Sequence, residues 1–320
     1  MILFWAIYYL DHTLSLRLGR PSTIHDIDIT VDLPERPSEE THRAWSEWFR
    51  VLIEIARLHG LVYEKLYSPA SFSKTHEERL SVSRHLDSWL RRISVDNASI
   101  AEHPVHRKQH MSLLLKSNAI VIGCLLTLTH RAASTGQRDG QALHINEACL
   151  EAARATIRGH LDIVSNSSTQ TGSSASDCVH WRMLNCPSTP FLVLFSHVIF
   201  SCDQSDLDLL GAFVASLDTL ASNLVVRQRE SIDLFLQLCK PFYTLANHYV
   251  RASRQQPDTN HKDLWSSNTL EGHMPTYLDT NTLTDPNFSF LPPELFDAWL
   301  AGTQDLDLFD WPSIDMTTHA

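Results

Sequence analysis

The chain of 320 residues has six cysteines, yet no two of them form a CxxC pair. Cys124, Cys149, Cys178, Cys186, Cys202 and Cys239 follow no regular spacing, which excludes a compact cysteine zinc cluster. Unpaired, irregular cysteines fit a reducing compartment. Glycine is scarce, with 10 in the whole chain, and strand-like alternation is rare. A Gly-rich phosphate loop, a nucleophile elbow and a His-Glu-x-x-His helix are all missing, so no standard catalytic motif recommends an enzyme.

A basic face is missing too. The net charge is −11, and 11 acidic residues against the single Lys262 place −10 of it in residues 256–320. The first 255 residues are left with 26 acidic and 25 basic side chains. Phosphate recognition needs concentrated positive charge, so this near-neutral body is a poor direct partner for nucleic acid. Long apolar runs are also few. Met1–Leu10 and Phe191–Cys202 are too short to span a bilayer, and the first lacks the basic start of a signal peptide. Without a secretory route, the sequons at Asn97, Asn166 and Asn287 stay unused.

What is present is helical periodicity. Phe4, Tyr8, Asp11, Ser15 and Leu18 share one stripe. Trp45, Trp48, Phe49, Leu52, Ile55, Ala56, His59, Val62, Tyr63 and Leu66 form a longer one. Thr75 with Glu78 spells a capping box ahead of Val82, Leu86, Trp89, Leu90 and Ile93. Helices over 106–133, 142–164, 190–202, 206–225 and 228–253 complete the pattern. The reading is all-α, of about eight helices, with a Ser/Thr-rich loop at 166–177 and a disordered acidic tail. Cys149 and Cys239 fall inside apolar helical stretches, as small buried hydrophobes do.

The most specific stretch is the first. Phe4-Trp5 opens a helix that carries Asp11 and Leu14-Ser15 and stops at Gly19-Arg20-Pro21. Asp26, Asp28 and aliphatic residues then alternate down to Leu33-Pro34. Gly19 suits the left-handed position past a helix end, and Pro21 forbids continuation. Arg20 is placed to pair with Asp11, Asp26 or Asp28. Ordered over about thirty positions, this run resembles the central signature of the regulatory domain of fungal binuclear-zinc-cluster transcription factors. His12 stands where that family more often has Arg. The segment from Pro190 through Phe195 to Asp206, Leu210 and Phe213 resembles the far end of the same domain. Between them the likeness thins, with Ser117-Asn118 in place of Tyr-His and Arg131-Ala132 in place of Arg-Pro.

The resemblance implies a helical regulatory domain over residues 1–255 and a separate tail over 256–320. It further implies a nuclear chain shortened at its N-terminus, without the zinc cluster. Zinc, and DNA contact, would belong to that missing module, leaving this chain without cofactor or membrane partner. A second copy or a related factor is a natural partner on the same reading.

The tail has its own pattern. Leu295-Phe296 and Trp299-Leu300 put two apolar pairs one turn apart, and Leu306, Leu308, Phe309 and Trp311 interleave with acids. Segments of this kind recur in transcriptional activation domains and fold on coactivator grooves; anchoring of Trp299 or Phe309 to the body is the other reading.

Three groupings compete with solvated surface as metal or catalytic sites. They are His103, His106 and His110, the pair Asp26-x-Asp28, and Cys178-Val-His180 with Cys186. None supplies a full ligand set, so no catalytic or metal residue is assigned. The function implied is the regulatory and activation portion of a fungal transcription factor. The alternatives are an all-α enzyme, a small-molecule-binding protein, or a shortened competitor of full-length factors.

Overall fold

The computed structural model describes residues 1–37, 40–103, 108–134, 145–167, 188–223 and 226–255. Among these every regular element is helical, as the periodicity implies. Helix α1 (Ile2–Arg17) ends as the sequence requires. Gly19 adopts φ +63°, its N–H donates to the Leu16 carbonyl at 3.1 Å, and the Arg20 N–H donates to the Ser15 carbonyl at 3.0 Å. That pair of bonds is a Schellman end, which satisfies carbonyls the helix would otherwise leave open.

Helix α2 (Glu40–Val62) carries the long stripe into the core. It continues into a π-helical turn, Tyr63–Tyr67, closed by the Ser68 N–H on the Tyr63 carbonyl at 2.8 Å. This turn leads to a short α3 (Pro69–Phe72), capped by Ser68 with Pro69 in its first turn. Sequence periodicity gave no hint of α3, because four residues are too few to show a period. Helix α4 (His76–Ser99) opens with the expected capping box: Thr75 Oγ1 accepts from the Glu78 N–H, and Glu78 accepts from the Thr75 N–H.

Helix α5 (Lys108–Ser134) is long and apolar enough by composition to cross a bilayer. In this fold it is an interior wall, packed between α4 and α6. Neighbouring side chains reach its backbone carbonyls: Ser83 donates to the Thr129 carbonyl at 3.0 Å, Asn97 to that of Leu115 at 2.9 Å and Tyr67 to that of Leu128 at 2.7 Å. Helix α6 (Glu147–Ser167) starts later than the residue 142 its apolar pattern suggests. Asn146 sets the start, since its side chain accepts from the Cys149 N–H at 2.8 Å in the manner of an N-cap.

Helices α7 (Thr189–Ser201), α8 (Gln204–Asn223) and α9 (Val226–Gln255) complete the described chain. Cys202 ends α7 at φ +54°, a left-handed position unusual for a residue with a side chain and costing roughly 1–2 kcal/mol. It allows a two-residue connection to α8, whose first turn is held by Asp203 accepting from the Asp206 N–H at 2.9 Å.

Two apolar clusters result. One gathers α1, α2, α4 and one side of α5; the other gathers α6 to α9. Ile120 and Cys124 of α5 meet Ile163 of α6 where the two join. Cys149 and Cys239 are free and fully buried, which pushes the Cys149 thiol up to about 12 and the Cys239 thiol well up. Cys202 is also free, but Cys124 is disulfide-bonded. That departs from the expectation of unpaired thiols throughout; pairing depends on spatial proximity, which spacing along the chain did not reveal.

Candidate functional site: the junction of the first two helices

The signature residues gather where α1, the segment after it and α2 meet. One face of α1, with Trp5, Tyr8, Tyr9, His12 and Leu16, is buried against α2. The chain then turns at Gly19 and runs back along the pair, and its polar backbone needs partners there. The two helices supply them. Asp11 accepts from the Thr23 N–H at 2.8 Å, the Thr23 hydroxyl at 2.8 Å and the Ile24 N–H at 2.9 Å. Trp5 Nε1 donates to the Asp32 carbonyl at 3.0 Å, and Arg50 donates to the buried Pro34 carbonyl at 2.7 Å. Ser46 on α2 donates to the Glu35 carbonyl at 3.0 Å.

Asp26 is the centre of the charged part. Its carboxylate accepts from the Tyr8 hydroxyl at 2.6 Å and from Arg57 Nε at 3.2 Å. Arg57 also holds Glu54 at 3.0 Å. Burial, reinforced by the Asp26 carboxylate, keeps the Tyr8 phenol protonated far above its ordinary range. Burial works against the charge of Arg57, but Glu54 and Asp26 outweigh it and raise its basicity.

Here the expected partner for the aspartates changes. Arg20 is exposed, while Asp26 takes Arg57 from α2 and Asp11 takes backbone and hydroxyl donors from Thr23 and Ile24. The physical reason is reach: Arg57 approaches from a helix already packed on α1, whereas Arg20 leaves the helix end toward solvent. Asp28 is exposed within a 3-10 turn, Asp26–Asp28. Phe4 packs partly buried against the core, Ser15 is buried, and Pro21 is exposed just after the turn.

The metal-type groupings do not assemble among the described residues, where no cluster of three or more His, Cys, Asp or Glu occurs. Asp26 is taken up by Tyr8 and Arg57; His103 Nε2 lies 2.9 Å from Glu47, and His110 lies beside the Trp45 ring at 6.0 Å. His106, Cys178, His180 and Cys186 lie outside the described residues. So do Leu295, Phe296, Trp299, Leu300, Leu306, Leu308, Phe309 and Trp311 of the tail.

A second polar centre was not visible from spacing. Asp206, 1 % exposed at the start of α8, accepts a two-pronged bond from Arg154 of α6 at 2.8 and 2.9 Å. It also lies 2.8 Å from His197 Nδ1 of α7. Burial alone would raise this carboxyl; the Arg154 and His197 hydrogen bonds overcome it and hold the group below its usual range. Arg154 reaches Glu147 at 2.8 Å as well. Three helices are pinned at one carboxylate, a bidentate arrangement that fixes angle as well as distance.

Residues 2–95, which contain the whole α1–α2 junction, match the model of the fungal specific transcription factor domain. Over that stretch the chain is similar to the family's domain. Relatives extend the likeness beyond it. An ABC-transporter-regulating transcription factor of Aspergillus oryzae is 26 % identical over 297 residues, covering 81 % of this chain and 31 % of the relative. A protein of the same name from Aspergillus fumigatus is 26 % identical over 302 residues, 80 % of this chain and 32 % of its own. A transcriptional regulatory protein of Schizosaccharomyces pombe is 28 % identical over 215 residues, 61 % and 34 % respectively. The chain thus spans about a third of the length of these relatives. No solved structure matches it. Domain and relatives together support a regulatory role in transcription.

Proposed function

We propose that this chain is the regulatory and activation portion of a fungal transcription factor acting on RNA polymerase II transcription in the nucleus. The observation that carries the reading is the match of residues 2–95 to the fungal specific transcription factor domain, within which Trp5, Asp11 and Asp26 of the signature tie α1, the returning segment and α2 together. The helical body, residues 1–255, relays or restrains; it performs no catalysis and holds no zinc. DNA contact falls to a zinc-cluster module of the family type. The tail supplies the output. Its acids keep Leu306, Leu308, Phe309 and Trp311 soluble and steer them to basic rims, while the apolar side chains fill a coactivator groove.

The test is a reporter assay with residues 294–311 tethered to an unrelated DNA-binding domain. Activation is expected, with most of it lost in Phe309→Ala/Trp311→Ala and only part lost when one Asp is neutralised. A silent tail, together with a lower melting temperature of the whole chain carrying the double change, would make the tail a packed structural element instead.

A further inference from the structure

Over Ile2–Leu10, helix α1 is apolar on every side. Trp5, Tyr8, Tyr9 and Leu16 are buried, while Leu3 and Ile7 on the other side are 68 % and 49 % exposed. It rests chiefly on α2 and on the returning segment, so it is gripped from one side. Two imidazoles lie in that grip. His12 is 3 % exposed, and its Nδ1 stands 3.0 Å from the Tyr8 carbonyl, with the two rings 3.9 Å apart. Its other edge faces the α2 backbone at Gly60, where an added Cβ would stand 2.6 Å from Cδ2. Only a residue without a side chain lets the ring fit there. His59, next to that glycine, is 2 % exposed with Nδ1 2.8 Å from the Ile55 carbonyl. A carbonyl only accepts, so Nδ1 carries the proton in both rings.

We infer that the His12–His59 pair makes α1 an acid-released latch on α2. The groups facing the pair decide its sign. From α1, Asp11 Oδ2 lies 3.8 Å from His12 Nδ1, but that carboxylate is already engaged by Thr23 and Ile24. From the returning segment Asp26 favours a charged His12; from α2 Arg57 opposes it; and Tyr8 stays a neutral phenol. The charge of His12 works against that of His59, so charging both of these buried rings is unfavourable. Burial is the main cause that lowers each histidine, His59 to about 4.

The released rings return to an ordinary value of about 6.5, so the released form binds more protons. Docking is therefore complete above about pH 6.5 and weakens as the pH falls toward 4. Within that window each histidine shifts the docking equilibrium by up to about tenfold per pH unit, and the pair by up to about a hundredfold. Release uncovers Trp5, Tyr8 and Tyr9 together with the stripe of α2 that they cover. This inference goes beyond the proposed function and does not depend on the tail.

The experiment is amide hydrogen exchange on the full chain between pH 7.5 and 5, corrected for intrinsic exchange rates. Protection of residues 2–17 is expected to fall steeply below about pH 6.5, while residues 204–223 of α8 keep theirs. His12→Gln/His59→Gln is expected to flatten the dependence. Parallel loss in α1 and α8, a flat wild-type profile, or equal slopes in wild type and double variant would each overturn the latch. If the double variant does not fold, the ring carbon resonances of the unmodified protein decide. Titration of His12 and His59 in step with α1 exchange supports the latch; midpoints near about 6.5 with α1 still protected overturn it.

Discussion

The two halves of the body solve one problem in opposite ways. Around α1 and α2, a stretch of irregular chain is held by many light bonds, most of them to its backbone and several half-exposed, as with Asp26 and Arg57 at 41 % and 29 %. Around α6, α7 and α8, helices are fastened at one carboxylate that is 2 % exposed as a side chain. Distributed ties tolerate the loss of any one of them. A single buried carboxylate does not, because removing it takes the shared acceptor from two part-buried donors, Arg154 and His197, at once.

The contrast is sharpest at the two aspartates. Asp206→Ala takes the shared acceptor from Arg154 and His197 and is expected to destabilise the protein by about 1.5–3 kcal/mol, read as a shift of the denaturant midpoint. An effect no larger than that of a surface substitution would dissolve the comparison. Gly19→Val comes next, at about 1–2 kcal/mol. No atom lies within 4 Å of an added Cβ there, so the whole cost is backbone strain at φ +63°. An unchanged midpoint would mean that α1 ends differently in solution. Asp26→Ala is expected to cost least, under about 1 kcal/mol, since its ion pair is solvent-screened; a loss matching that of Asp206→Ala would show that the light ties act as one.

Acidity separates the halves further. The histidines of the α1–α2 seam are lowered, so stability there is lost as pH falls from about 6.5 toward the His59 value of about 4. Asp206 is lowered as well, but for a carboxylate the contribution persists above its ordinary value of about 3.9 and is lost only below it. The front half should therefore yield to acid first, and α1 and α8 exchange profiles over pH read the two losses separately.

What could be read from sequence was local. Gly19, the Thr75–Glu78 box and the α2 stripe each express their physics within a few residues, and the all-α class followed from many such stretches. Arg57 with Asp26 and Arg154 with Asp206 are separated by a helix or more, and nothing in the spacing of one partner marks the other. The reading of Arg20 failed for that reason: it was the nearest cation along the chain, not in space. His12 looked like a departure from the family pattern, yet its meaning lies in Gly60 on another helix. The late start of α6 was missed because an apolar pattern carries on past the cap that stops it.

Helix α5 lends itself to a different kind of statement, about inheritance. Val121, Leu125 and Leu128 belong to the first cluster, whereas Ile120 and Cys124 face Ile163 of α6. Adjacent codons thus answer to different neighbours. Inserting or deleting one residue in this helix rotates everything beyond it by about 100°, exchanging the two faces at a stroke. Point changes on either face can be repaired by their own side, but a change of length cannot. Through generations the residue count of α5 should vary less than the identities of its residues.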